Sequence, residues 1–382
     1  MGDHDASAHW TLTVGEPGLG RRVRASEPAE DVLSDLSLDQ MLREIEADQQ
    51  QQLTIARPTS NISRWDHAFC RGICSLRREN SGSASMNSGA SADGVRVPLP
   101  GKGRATVVEP PPATGPGNWV GAPSAALDST GAVVLAYRVR VADGRGITNK
   151  IARSTDGERF TTLATIDRQH VHAVSLERPA LVRTPEDVWR LYVSCALPGK
   201  DWRIDLLEAD DPTALGGAQP ETLVFDMPNV AVKDPVIRRT ESGWEAWICC
   251  HPLDEPGEED RMRTVHMTSD DGRSWRDLDI ALEGRSGHWD ERGTRVTSVM
   301  SSGWATYDGR ASKEENFSEK TGIARPDERR GRFIAVGDGP VSDARYLEIL
   351  ELPDGRFRLY YEAPLADGSH ELRTEIVSPD HG

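Results

Sequence analysis

The sequence predicts an all-β fold: a five-bladed β-propeller over residues 101–382, preceded by a mostly irregular extension, residues 1–100, that contains one short helix. Three observations carry this expectation. A β-rich run, a turn and a second β-rich run recur five times. The recurrences start at residues 122, 178, 234, 295 and 345, spaced by 56, 56, 61 and 50 residues. No helical periodicity interrupts them, and repeats of this size built from strands and turns point to propeller blades of about four strands each.

Along the chain, the extension comes first. Leu38, Met41, Leu42 and Ile45 fall at i, i+3, i+4 and i+7, and Ser37 with Gln40 reads as a capping box, so one amphipathic helix is expected near residues 37–48. The glutamine run after it, and "ENSGSASMNSGASADG" further on, offer too little apolar surface to offset the entropy of ordering. Between them lies "TSNISRWDHAFCRGICSLRR", rich in hydroxyl and thiol side chains. Helix, spacer and patch have the composition of the leader and core of a peptide substrate, but compositional signals of this kind fit a mobile regulatory or docking extension better.

The five repeats follow. They read "APSAALDSTGAVVLAYRVR", "RPALVRTPEDVWRLYVSC", "DPVIRRTESGWEAWICC", "RVTSVMSSGWATYDG" and "RYLEILELPDGRFRLYYE", each a pair of antiparallel strands joined by a turn. Two outer hairpins share a signature, "STDGERF" (Ser154, Asp156, Gly157, Phe160) and "SDDGRSW" (Ser269, Asp271, Gly272, Trp275). The aspartate accepts from its own turn backbone, the glycine supplies a positive φ and the aromatic packs between strands, so these read as structural Asp boxes.

Composition narrows the function. A formal net charge of −16 argues against nucleic acid or an anionic membrane surface as the main partner. The start, "MGDHDASAHWTLTVGEPG", has no basic stretch followed by an apolar one, and no apolar run reaches the length of a membrane span, so a cytoplasmic protein is expected. Five cysteines without paired CxxC spacing imply neither a disulfide framework nor a zinc site, and no cofactor or metal is expected. His170 and His172 of "HVH", with His251 and His288, read as ordinary strand or surface histidines.

"KDPVI", "ERPAL" followed by "LYVSC", the "LYYE" ending and the two Asp-box hairpins together resemble the five-bladed furanosidase and arabinanase-like glycoside hydrolases, from about Trp119 onward, with hairpins of the sialidase type. The resemblance implies a central funnel lined by the first strand of each blade, with a carboxylate on each of the first three blades acting as base or nucleophile, stabiliser and acid. A glycosidase needs a carboxylate pair across the sugar. Ala122 stands where the resemblance places the first carboxylate; Glu177 before Arg178 and Pro179, and Asp234 before Pro235, match the second and third. Glu177 and Asp234 are therefore the candidate catalytic residues, with Glu177 expected to be protonated, Asp234 ionised beside Lys233, and Glu291 and Asp343 in reserve.

Aligned on the first strand, the repeats give a column of Ala122, Arg178, Asp234, Arg295 and Arg345. A propeller gathers such positions at its axis, so an acidic chain would focus positive charge at one funnel, with Lys233 adjacent. Crowded guanidinium groups need counter-charges. Either Glu177, Asp234, Glu291 and Asp343 pair with them and close the hole, or the funnel takes a carboxylate, phosphate or sulfate. Arg178, Arg295, Arg345, Lys233, Trp119 and Tyr346 are the candidate substrate-binding residues, Trp119 as a stacking surface at the rim, and Tyr346, like Tyr307, is also a candidate for a tyrosine nucleophile.

The expectation is thus a glycoside hydrolase-like enzyme acting on an anionic or glycosidic small molecule in the funnel. The rival is a non-hydrolytic propeller, a binding scaffold or a tailoring enzyme whose substrate is a peptide resembling its own N-terminal segment.

Overall fold

The computed structural model describes residues 97–378. The helix near 37–48, the polar spacer and the Thr59–Ser75 patch lie outside the described residues.

A short strand, β1 (Thr106–Glu109), precedes five four-stranded antiparallel meanders, or blades. The first is β2 (Trp119–Leu127), β3 (Val133–Val141), β4 (Arg145–Ser154) and β5 (Thr161–Asp167). The second is β6 (Ser175–Arg183), β7 (Trp189–Ala196), β8 (Trp202–Ala209) and β9 (Glu221–Thr222), with a 3₁₀ turn at Pro212–Gly217 before its outer strand. The third is β10 (Val230–Thr240), β11 (Gly243–Pro252), β12 (Arg263–Ser269) and β13 (Arg276–Leu282). The fourth is β14 (Gly293–Val299), β15 (Ala305–Arg310), β16 (Lys320–Pro326) and β17 (Phe333–Val336). The fifth has β18 (Arg345–Glu351), β19 (Phe357–Pro364) and β20 (His370–Val377) from the chain's end, and takes β1 as its outer strand through Thr106–Thr374 and Val107–Arg373 pairing. One parallel bridge, Trp119 to His370, joins the last blade to the first.

The blades form a closed ring because the second strand of each blade buries both faces. Along β3, Val134 and Ala136 pack toward the second blade while Val133, Leu135 and Tyr137 pack toward the fifth. The period-2 alternation of a strand thus serves two neighbours at once, which is why these strands read as near-continuous apolar runs. Five apolar wedges result, one between each adjacent pair of blades. Each fully buried Val, Leu or Phe is worth about 1.5–3 kcal/mol, so the wedges supply most of the cohesion. Val97 and Leu99 pack into the wedge with Met300, Trp304 and Leu347, so the packed body starts ahead of the expected boundary at residue 101.

The inner strands β2, β6, β10, β14 and β18 pack in succession around the axis, and β18 closes onto β2. A belt of hydrogen bonds runs with them. Leu181 N–H donates to Ser124 Oγ (3.0 Å), Arg178 N–H to Asp234 Oδ1 (3.1 Å), Arg295 to Asp234 Oδ2 (3.1 Å), Ile349 N–H to Ser298 Oγ (3.2 Å) and Ala125 N–H to Glu348 Oε1 (3.1 Å).

The two signature hairpins, β4–β5 and β12–β13, fold alike. Ser154 Oγ accepts Gly157 N–H (2.8 Å) and Asp156 Oδ1 accepts the N–H of Glu158 and Arg159 (2.9 Å each). Ser269 and Asp271 repeat the pattern on Gly272, Arg273 and Ser274. Gly157 and Gly272 both have φ of 73°, a conformation open to glycine at no cost. Each turn is also latched to the preceding blade by an Arg-Leu-Tyr run on that blade's second strand. Tyr360 O–H donates to Gly157 O (3.0 Å) and Arg358 to Asp156 O (3.0 Å); Tyr192 O–H donates to Gly272 O (2.9 Å) and Arg190 to Asp271 O (2.6 Å).

Candidate functional site

Every inner strand carries a β-bulge near its start, where one extra residue bends the strand toward the axis. The pairing corrects the expected column by one place in three blades: Glu177 rather than Arg178 is the counterpart of Ala122 and Asp234 in the second, and Arg295 and Arg345 stand one place early in the fourth and fifth. Gly121, Lys233 and Arg345 stand opposite Arg138, Cys249 and Glu362, immediately before the bulge. Ala122, Asp234 and Tyr346 follow, with φ of 52°, 51° and 51°. Arg345 therefore shares its place with Lys233, and Tyr346 is the counterpart of Ala122 and Asp234. Non-glycine residues held in this region store strain, which is found where a rigid scaffold aims a side chain.

These side chains meet at one end of the axis around a cavity of about 30 Å³. Glu177, Lys233, Arg295, Arg345 and Tyr346 all line it, joined by Arg138, Arg140, Arg310 and Glu319. The charges alternate. Arg140 faces Glu177 (3.5 Å), Glu177 pairs with Arg138, Arg138 with Glu362 (2.8 Å), Glu362 with Arg345 (2.6 Å), Arg345 with Glu319 (2.7 Å), and Glu319 with Arg310 (2.6 Å). A second run passes from Lys233 to Asp234 (3.8 Å), Arg295 (3.1 Å) and Asp308 (2.6 Å). Tyr346 sits between the runs. Its hydroxyl is 3.3 Å from Asp234 Oδ2, and the guanidinium of Arg295 lies 3.8 Å from its ring centroid, with Arg345 and Arg138 at 5.4 and 5.5 Å. Such stacking is favourable for a guanidinium and strongest when desolvated.

The pairing fixes the protonation pattern. Burial opposes ionisation of Glu177, but Arg138, Lys233 and Arg140 outweigh it and hold the carboxyl at about 2, so Glu177 is an anion at neutral pH. This reverses the expectation of a protonated Glu177: its mouth is crowded with cations, not apolar. Glu362 is likewise buried yet held at about 2 by Arg345 and Arg138. For Asp308 burial prevails and its pKa is raised despite Arg295. Burial drives the Tyr346 phenol well above its ordinary range, so it keeps its proton. His251, whose Nδ1 lies 2.9 Å from Glu259 O, is pushed down to about 3 by burial and Lys233 and is neutral.

The network leaves donors unspent. The buried Nε–H groups of Arg138, Arg140, Arg295, Arg310 and Arg345 have no hydrogen-bond partner, and all five residues line the cavity. Buried polar groups are normally paired, so a cluster of unspent donors in one wall marks a site with anion-binding capacity.

Arg178 takes a different place. Its guanidinium lies on the axis below the cavity, where Nε donates to Pro123 O (3.1 Å), one terminal nitrogen to Pro235 O (3.1 Å), and the other to Thr297 O and Glu348 (2.8 Å each). It thus reaches the first, third, fourth and fifth blades from the second. With only 1% of its surface exposed, it corrects the expectation of a substrate contact: it plugs the channel. Burial pushes its partner Glu348 up to about 7 against the pull of Arg178.

Other candidates separate similarly. Trp119 is at the rim, stacked on His370 (4.7 Å) and beneath Arg140 (4.6 Å). Tyr307 is outside the site, its hydroxyl donating to Asp290 (2.8 Å). Glu291 and Asp343 are exposed; Asp343 pairs with Lys320 (3.1 Å) and neither neutralises the central arginines. That task falls to Glu319, Glu362 and Asp308, which the column of first strands missed. The signal lay on the second strands, in "AYRVR" (Arg138, Arg140), "TYDGR" (Asp308, Arg310) and "LYYE" (Glu362), where period-2 spacing aims alternate side chains at the mouth. His170 Nε2 lies 2.7 Å from Ala218 O, and among the described residues no group of three or more His, Cys, Asp or Glu side chains is arranged to hold a metal ion.

No family model and no curated relative matches the sequence. Among solved structures the chain is similar to a thermostable family-43 glycoside hydrolase (12% identity, 71% of this chain and 91% of that chain, TM-score 0.55). It is also similar to the β-1,2-mannobiose phosphorylase from Listeria innocua (16% identity, 74% and 93%, TM-score 0.50) and the α-L-arabinofuranosidase from Lactobacillus brevis (11% identity, 67% and 89%, TM-score 0.52). At this identity the likeness is one of fold alone, a propeller shared with these proteins.

Proposed function

We propose that this chain is a glycoside hydrolase-like enzyme whose funnel mouth takes the anionic group of a small sugar substrate. The unspent Nε–H donors on five arginines around one cavity carry this reading. Guanidinium groups recognise carboxylates through paired, charge-assisted bonds, and burial strengthens each one. In this reading Glu177, ionised at neutral pH, is the base or nucleophile. Tyr346 holds a proton at the cavity wall, and Asp234 positions it together with Arg295. The three buried free thiols, Cys195, Cys249 and Cys250, accord with a reducing compartment, and we assign the protein to the cytoplasm.

One observation favours a second reading, a non-hydrolytic propeller. Ala122 occupies the place of Asp234 and Tyr346 on the first blade, so no first-blade carboxylate stands at that register. Calorimetry with D-glucuronate and with D-glucose tests the binding step: glucuronate should bind and glucose should not, and equal affinities would remove the arginines from recognition. A panel of aryl glycosides, neutral and acidic, tests the chemistry. Turnover lost in both Glu177→Gln and Asp234→Asn supports the enzyme, whereas glucuronate binding without any turnover leaves the non-hydrolytic propeller.

A further inference from the structure

The cavity at the mouth has room for about one water molecule, far less than a sugar needs. What fills the remaining space is a loop of the fourth blade, residues 311–319, between β15 and β16. Phe317 reaches across the mouth from this loop to the first blade, its ring 5.3 Å from that of Trp119 and 5.2 Å from the guanidinium of Arg140. It does so half-exposed, at 45%, and with φ of 76°, a backbone region that side chains other than glycine enter at a cost. A large aromatic, strained and half in solvent, covers the entrance.

Behind it the loop feeds polar groups to the cavity arginines. Asn316 Oδ1 and Glu319 Oε1 both accept from Arg310 (2.6 Å each), and Glu319 Oε2 faces Arg345 at 2.7 Å but off the hydrogen-bonding line. Glu319 is 3% exposed and is the last residue before β16. Its carboxylate spans two guanidinium groups from different blades, the arrangement a ligand carboxylate would adopt. Glu362, by contrast, sits within β19.

Resting on the function proposed above, we propose that Glu319 is a tethered stand-in for the substrate's carboxylate. Arg310 and Arg345 form the carboxylate subsite, and the ligand enters by displacing Glu319 and lifting Phe317 off Trp119. A carboxylate tied to the site by its own loop competes at a high effective concentration, and its removal exposes the intrinsic affinity.

The full chain is titrated calorimetrically with D-glucuronate, in the wild type and in Glu319→Gln, Glu319→Asp and Phe317→Ala, with circular dichroism to check folding. Glu319→Gln should bind about tenfold more tightly or better, as removal of a competitor requires. Glu319→Asp, which keeps the charge, should stay near the wild type. Phe317→Ala leaves the ion pairs intact and should also tighten binding. A folded Glu319→Gln that binds no more tightly than the wild type overturns the proposal. If that variant does not fold, a Phe317→Ala affinity equal to or weaker than the wild type does so instead. Wild-type binding with unchanged variants sinks this inference alone; no glucuronate binding by any folded protein sinks the anionic reading of the mouth and this inference with it.

Discussion

Two buried arginine environments lie a few residues apart on the axis of the ring, and they differ in what is left over. At the waist, Arg178 spends its Nε–H and both terminal nitrogens on three carbonyls and one carboxylate. At the mouth, Arg138, Arg295, Arg310 and Arg345 are as deeply buried and paired with acids, yet each keeps an unpartnered Nε–H. A fully satisfied buried charge works as a fastener. A partly satisfied cluster retains capacity for a ligand. The contrast teaches that an arginine's surplus of donors, rather than its presence at the axis, separates scaffold from site.

The most damaging way to probe this contrast is Arg178→Met. It strands Glu348 and three inner-strand carbonyls in the core, and breaking a buried pair in this way costs about 3–5 kcal/mol. Chemical denaturation should show that loss, whereas Arg140→Gln at the rim should weaken glucuronate binding with little change in stability. An Arg178→Met protein as stable as the wild type would mean that the waist is not fastened through this side chain.

A pH titration of stability sharpens the same contrast with a smaller effect. Glu348 is raised to about 7 when folded, so the folded state binds more protons than the unfolded chain. Its contribution is greatest below its unfolded value near 4.5 and is lost as pH rises toward 7, by on the order of 1–3 kcal/mol. Glu177 and Glu362 behave oppositely: their contribution is present above the unfolded value and is lost as pH falls toward about 2. Glu348→Gln should flatten the near-neutral slope and leave the acid limb unchanged. A near-neutral slope that survives this substitution assigns it to another group.

The smallest effect is expected at the perimeter. Tyr192→Phe removes one buried hydrogen bond to the hairpin turn at Gly272 and leaves that carbonyl unpaired, for about 1 kcal/mol. Tyr360→Phe should match it at Gly157. Unequal losses in thermal unfolding would show that the two latches are not equivalent.

Much of this architecture was legible in the chain because the five inner hairpins carry runs whose alternate residues serve two neighbours. The site was legible in part. Lys233, Glu177, Arg295, Arg345 and Tyr346 were named from first strands and meet at the cavity. Arg178 looked equivalent to them, but in the second blade the bulge takes in Glu177 and Arg178 together, sending the acid to the mouth and the arginine down the axis. A one-residue bulge leaves no mark in composition. Arg138, Asp308 and Glu362 were missed because they reach the mouth from second strands, and Glu319 because it arrives from a loop. The strand β1 escaped notice as well, since four residues whose partner lies more than 260 positions away carry no local pattern.

That last pairing constrains how the molecule can be made. The fifth blade is complete only when Thr106–Glu109 meets His370–Val377, so the ring has no finished form until almost all of the described chain has left the ribosome. Until then β1 waits without its partner, and once β20 emerges its open edge can take its own β1 or that of a second chain at the same stage. Dilution and prompt capture of β1 by its own β20 therefore decide between a monomeric ring and a strand-exchanged pair.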